Sequence, residues 1–338
     1  MKKVFVKILK VMFIITALIL FLICGLIINN RIYYNKYSRV DTGAETLTEN
    51  ELTAIASIYQ YLKDFGNDIY NGFSSQSNLI IYNRKYEFLL TDNEYEDEWK
   101  FIDYSEIVGK NIYRRKANNP KAFAVKINNH WAGSFTTHNY FIVSFLEQVP
   151  IFVPPQFFSL DDIAYKSVVV HEMSHALQGD RDNSRVETAE FIGKELNVYS
   201  GNSDYNNLIK QEGKIMEEAI NLTDKVKITT KILEFIETRD HRRNICGMTN
   251  SEIFAEKEHE WLEGTARYAE YIASAGSKSM TVKNLGKITQ QTADYYALGM
   301  AEIILINNLN ITDWQHKLFY DKYTPEDILR EYLNYMMR

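Results

Sequence analysis

The chain has 338 residues, 46% of them hydrophobic and 24% charged, the balance of a folded globular protein and not of a disordered one. Its net charge of −6 at pH 7 is carried in spite of four lysines, Lys2, Lys3, Lys7 and Lys10, that stand without an acid in the first ten residues. The remainder is more acidic still, and without a nucleic-acid-binding motif it has no electrostatic footprint for DNA or RNA.

The basic start leads into VMFIITALILFLICGLII, residues 11–28, with no charge and no proline. As a helix this run spans about 27 Å, close to the hydrocarbon thickness of a bilayer. A cleaved signal peptide would have a shorter apolar core ending in small residues. This run ends in LIINNRIYY, and Ile23 stands where a lipoprotein site at Cys24 would need a small residue. The reading is a basic tail over 1–10 and an uncleaved, single-pass anchor over 11–29 in the cell membrane. The lysines place the N-terminus in the cytoplasm and the rest of the chain outside it, although Arg31, Lys36 and Arg39 oppose that asymmetry. Cys24 and Cys246 are the only cysteines, so neither an intrachain disulfide nor a cysteine-based metal site is expected, and any metal falls to His, Glu or Asp.

Residues 30–47 read as a polar stalk. Thr48-x-x-Glu51 is a capping pattern that opens a helix with Leu52, Ile55, Tyr59 and Leu62 on one face, stopping near Gly66. NLIIYNRKYEFLLTD predicts two strands around a turn at Asn83-Arg84. Residues 121–153, rich in β-branched and aromatic residues, predict further strands, HNYFIVSFL most clearly. Pro154-Pro155 breaks the chain, and Ser159 is the expected N-cap of a helix that runs to Gly179. From Val186 onward the pattern is helical, with residues 181–250 read as a helical insertion. Strands followed by helices predict an α+β domain over residues 48–338, with a β-rich N-terminal lobe and a helical C-terminal lobe.

Within that helix, KSVVVHEMSHALQGD places His171 and His175 four residues apart with Glu172 between them. One turn apart on a helix, the two imidazoles can meet one metal, while Glu172, rotated by about 100°, reaches a water beside it. Two ligands and a general base are the division of labour of a His-Glu-x-x-His zinc hydrolase. A third ligand is needed. The metzincin extension is excluded, because Gln178 and Arg181 stand where it needs glycine and histidine. Glu195 lies 20 residues after His175, as in thermolysin, but its surroundings, FIGKELNVYS, are unlike the thermolysin segment. Glu263, in EWLEGTARYAEY, is the other candidate; His259, one turn before it, reads as a neighbour.

With the zinc motif, Glu263, Gly264, Ala266, Tyr268 and Glu270 resemble the second motif of the aminopeptidase N family and the related glycyl aminopeptidases. Tyr296-Ala297-Leu298-Gly299 is similar to that family's Tyr-x-x-Gly stretch. The resemblance implies a gluzincin-type, zincin-like domain binding one zinc ion through His171, His175 and Glu263. It implies peptide-bond hydrolysis by a zinc-activated water, with Glu172 as general base and Tyr296 as the oxyanion's hydrogen-bond donor. Gly264 and Ala266 would let their helix approach the zinc helix, with the insertion looped out between the motifs. The family's amine-binding Gly-x-Met-Glu-Asn stretch is missing, and NHWAGSFTTHNY, residues 129–140, stands at the equivalent place as a substrate-lining strand. The resemblance covers three short motifs in residues 171–299. The expected partners are a peptide or protein substrate and the membrane; the alternative is a zinc-binding but non-proteolytic membrane-anchored binding or immunity module.

Overall fold

Apolar periodicity and capping chemistry set most element boundaries in the computed structural model, which describes residues 2–95, 98–158, 160–193, 199, 201–274 and 293–338. Helix α1 (Lys2–Tyr37) contains the apolar run and is long and apolar enough to cross a membrane. It runs on through the first residues of the expected stalk, since no glycine or proline interrupts NNRIYYNKY. Helix α2 (Glu49–Ile69) opens on the capping box of Thr48 and Glu51. It continues for one turn past Gly66, which is not a terminator. A side chain at Gly66 would lie 2.2 Å from the Phe73 carbonyl oxygen, so the glycine marks a close crossing of the returning chain.

Six strands follow: β1 (Asn78–Tyr82), β2 (Tyr86–Thr91), β3 (Lys100–Ser105), β4 (Lys110–Lys116), β5 (Phe123–Ile127) and β6 (His130–Thr136). They form one sheet in the order β3-β4-β2-β1-β6-β5. The β1–β2 hairpin turns at Asn83, whose Oδ1 accepts from the backbone N–H of Lys85 and Tyr86 at 2.9 Å each. Neighbouring strands are antiparallel except β1 and β6, which pair in parallel. β5 is therefore an edge strand, and β6 is enclosed between β1 and β5.

HNYFIVSFL is not a strand. It lies in helix α3 (His138–Gln148), capped by Thr137, whose hydroxyl accepts from Tyr140 N–H. The β-branched and aromatic residues that favour a strand locally are overridden by this cap and by packing against α1 and α2. The next helix, α4 (Asp162–Arg181), is capped by Asp161, whose carboxylate accepts from Ala164 N–H. It runs two residues beyond Gly179, and the expected cap, Ser159, lies outside the described residues.

α4 is buried over nearly its whole circumference from Val169 to Gly179, because it lies between the sheet and a later helix, α9 (Thr265–Ala273). Gly133 of β6 gives α4 its close approach: a side chain there would stand 2.8 Å from Met173 Cα. Trp131 N–H donates to Asp180 Oδ1 at 2.8 Å and fixes the register of strand on helix.

Helices α5 (Asn183–Gly193), α6 (Ser203–Ile220), α7 (Lys225–Ile245) and α8 (Asn250–His259) lead to a π turn at Glu260–Gly264 and then α9. Helices α10 (Ala293–Asn308), α11 (Trp314–Phe319) and α12 (Pro325–Met336) complete the described chain. The α6–α7 hairpin is not looped out. Its Arg239 and Arg242, joined by Glu212 of the same hairpin, are fully buried and donate to carboxylates of α8, the π turn, α10 and α12, so the hairpin is part of the core. Glu256, Glu260, Glu263 and Glu270, which share a helical stripe in the sequence, are all buried.

Candidate metal centre

α4 delivers His171 and His175 to a common point, with their Nε2 atoms 3.2 Å apart. Each ring is oriented through its other nitrogen. Gln178 donates its amide to the Leu262 carbonyl at 3.0 Å and to Thr265 Oγ1 at 2.6 Å, so its Oε1 must be the acceptor for His175 Nδ1–H at 2.8 Å. A neutral His175 then carries its lone pair on Nε2. Glu270 plays the same part for His171, whose Nδ1 lies 3.1 Å from the Glu270 carboxylate, itself held by Arg267 at 2.6 Å. A carboxylate or amide behind a ligating imidazole fixes both ring and tautomer.

Glu263 arrives on the π turn, which inserts an extra residue between α8 and α9 and so resets the direction of the side chains it carries. Its Oε2 lies 3.6 Å from His171 Nε2 and 3.4 Å from His175 Nε2. That oxygen is buried and has no hydrogen-bond partner among the described residues. The three atoms form a triangle with edges of 3.2, 3.4 and 3.6 Å. Tetrahedral bonds of 2.0–2.1 Å require ligand-to-ligand distances of about 3.3 Å. The donor set and its spacing therefore fit a zinc ion, and two imidazoles with one carboxylate suit that metal.

Burial disfavours a charged His171, but the Glu263 and Glu270 carboxylates beside it overcome that and raise its pKa to about 10. For Glu263, burial is outweighed by His175 and His171, which hold its carboxyl far below the usual range. Glu172, from the same turn of α4, places its carboxylate within 4.8 Å of a ring nitrogen of each histidine. Burial raises its pKa and the two histidines pull it back. Glu263 is the closer carboxylate, which leaves Glu172 beside the triangle.

Tyr296 on α10 stacks on the His171 ring, with centroids 6.0 Å apart and planes at 12°. Burial first, and then the charge and hydrogen bond of Glu263, push its phenol well above the ordinary value, so it stays protonated. His259 lies edge-on to Tyr295 and Tyr296, and both its ring nitrogens are buried without a hydrogen-bond partner among the described residues. Glu195 lies outside the described residues.

Of the two small residues expected to bring the second motif close to α4, Gly264 acts elsewhere. Gly264 does not open room toward α4; a side chain there would stand 2.5 Å from Gly299 Cα, so the two glycines let α10 cross the π turn. A methyl group at Gly299 would meet the Glu260 carbonyl oxygen at 2.4 Å, and backbone cannot yield as a side chain does. Gly299→Ala is expected to destabilise the chain by about 1–3 kcal/mol, read as a lowered Tm, and to weaken metal binding by displacing Glu263. An unchanged Tm would mean that the crossing is looser than these distances.

Of residues 129–140, expected as a substrate-lining strand, 130–136 form β6 and 138–140 open α3. β6 is interior, and the edge strand β5 carries Phe123, whose ring lies 4.5 Å from that of His175. Gln178 and Glu270 were not singled out as partners of the histidines by sequence. The available signals were the i,i+3 spacing of His175 and Gln178 and the Arg267–Glu270 pair. Comparison with protein-family models, curated proteins and solved structures finds no match to this chain.

Proposed function

We infer that the chain is a membrane-anchored zinc metallopeptidase of the gluzincin type, with α1 crossing the cell membrane and the domain on its outer side. The observation that carries this reading is the triangle of His171 Nε2, His175 Nε2 and an unpartnered Glu263 oxygen, with a second buried glutamate, Glu172, beside it. A bound zinc would supply the Lewis acidity that makes water a nucleophile at neutral pH. His171, His175 and Glu263 would hold it. Glu172, not needed as a ligand, is placed to take a proton from the attacking water and pass it to the leaving amine. Tyr296, kept protonated, can donate a hydrogen bond to the oxygen that becomes negative when the carbonyl is attacked. The outer edge of β5 has backbone groups with which an extended peptide could pair beside His175.

The test is peptide cleavage by the zinc-loaded full chain set against Glu172→Gln. The variant is expected to keep one zinc per chain and to lose at least about 100-fold in rate, the loss of a general base. Full activity in Glu172→Gln would remove this mechanism. Stoichiometric zinc with no peptide cleaved across a diverse library would turn the reading to a non-proteolytic binding module.

A further inference from the structure

Outside the metal centre, the feature that points furthest is the connection between α3 and α4. From Gln148 to Leu160 no residue is charged, and within QVPIFVPPQFFSL the side chains of Ile151, Phe152 and Phe157 are 60%, 56% and 79% exposed. Most other exposed apolar side chains of the domain stand among charged neighbours, as single surface apolar residues commonly do, Tyr335, Met336 and Met337 near the end of the chain excepted. Here three lie in one uncharged run that abuts the anchor helix.

The position of this loop is fixed by the anchor helix. The side-chain amide of Asn30 donates to the carbonyls of Ile151 and Val153 at 2.8 Å each and approaches that of Pro150 at 3.5 Å. Asn30 stands two residues past Ile28, the end of the uncharged apolar run, which is about 3 Å along the helix axis. The next residue, Arg31, is the first charge after that run, and Tyr33, Tyr34 and Tyr37 follow it. Aromatic and basic side chains there mark the headgroup level of a bilayer. A groove of about 410 Å³ between α1 and the α3–loop segment is mainly apolar at the same level, lined by Ile27, Tyr34, Leu146, Val149 and Ile151, with Arg31 and Glu147 also on its wall.

We propose that the loop of residues 149–158 docks into the headgroup–acyl boundary of the same bilayer that α1 crosses, with Asn30 holding it at that depth. The occupant of this apolar surface is lipid, because the surface is continuous with a helix of membrane-spanning length. Asn30 also satisfies loop carbonyls that lipid could not. Since α4 begins at Asp162, directly after the loop, docking holds the metal-bearing helix against the membrane instead of leaving it on a free tether. This rests on the anchoring reading above but not on catalysis.

The test uses the full chain in phosphatidylcholine–phosphatidylglycerol vesicles, with an environment-sensitive fluorophore at one cysteine at a time in a Cys246→Ser background. Cys24 itself reports on the anchor; Phe152→Cys and Phe157→Cys report on the loop and Val226→Cys on an exposed site of α7, the last three with Cys24→Ala. Lipid carrying a nitroxide near the headgroup end of its acyl chain is expected to quench the loop labels at least about threefold more than the Val226 label. Asn30→Ala is expected to return the Phe152 label toward the Val226 level. Loop labels no more quenched than the Val226 label, while the Cys24 label is quenched by deep nitroxides, would overturn the docking and leave the anchor intact. An unquenched Cys24 label would overturn both. Loop labels shielded from water but not quenched would mean that protein covers the loop, and would also overturn the proposal.

Discussion

Glu263→Ala is expected to lower zinc affinity by about 1,000-fold or more, equivalent to roughly 4 kcal/mol, with only a small loss of fold stability. The expectation follows from the isolation of its oxygen. Glu263 Oε2 has no hydrogen-bond partner among the described residues and faces the Nε2 atoms of His171 and His175, so its removal leaves two ligands where a stable site needs three. Competition with a chelator of known affinity measures the change. Glu270→Gln should act more weakly, by about 10–100-fold, because it leaves all three ligands and disturbs only the orientation of His171. Glu195→Ala is the control. If it loses zinc while Glu263→Ala keeps it, the ligand assignment passes to the thermolysin-like spacing and the function survives with a different third ligand.

What could be seen in the sequence depended on whether the chemistry was local. The capping box at Thr48, the β1–β2 turn at Asn83 and the placement of His171, Glu172 and His175 on one helix each follow from spacings of three or four residues. The predicted α+β class also describes the structure. α3 departs from the expected strand because Ile142 and Val143 carry strand propensity, whereas its helix depends on the Thr137 cap and on partners far away in sequence. The free edge at β5 depends on strand order, which no single strand encodes. Glu212, Glu256 and Glu260 look like ordinary surface charges in sequence. Their partners lie on other helices, so burial could not be read from local pattern.

That buried charge supports the second large expectation. Arg239 is fully buried and reaches Glu212 at 3.0 Å, Glu260 at 2.7 Å, Glu302 at 2.8 Å and Glu326 at 3.0 Å. Arg242 and Arg243 extend the network to Glu256, and Arg330 also reaches Glu326 at 2.7 Å, so five buried carboxylates face three buried guanidiniums and a partly exposed fourth. Arg239→Ala leaves four acidic side chains without their shared cation and is expected to cost about 3–5 kcal/mol, enough to unfold a marginally stable chain. The excess of acid predicts bound protons, and the structure says where. Burial, then the neighbouring Glu260, hold Glu302 protonated, and its Oε2 has no hydrogen-bond partner among the described residues. Glu302→Gln, a neutral replacement for a neutral acid, is expected to cost less than about 1 kcal/mol. Equal losses from the two variants in denaturant titrations would mean that Glu302 is ionised.

A pH dependence of known sign accompanies this. Burial, with Glu256 and Glu326, raises Glu260 from 4.5 to about 7 against the pull of Arg239. The folded chain then keeps a proton that the unfolded chain releases, so this contribution is full below about pH 4.5 and is lost as pH rises through about 7. Glu256, lowered to about 2 by Arg242 and Arg243 against its burial, works in reverse, and its contribution is lost as pH falls toward that value. Unfolding free energies of Glu260→Gln should therefore fall less than those of the parent between about pH 5 and about pH 7; parallel curves would show Glu260 already ionised. Because Glu260 opens the π turn that carries Glu263, the ion cluster that stabilises the helical lobe also holds the third candidate ligand in place. Variants that unclamp Glu260 should accordingly lose zinc affinity along with stability.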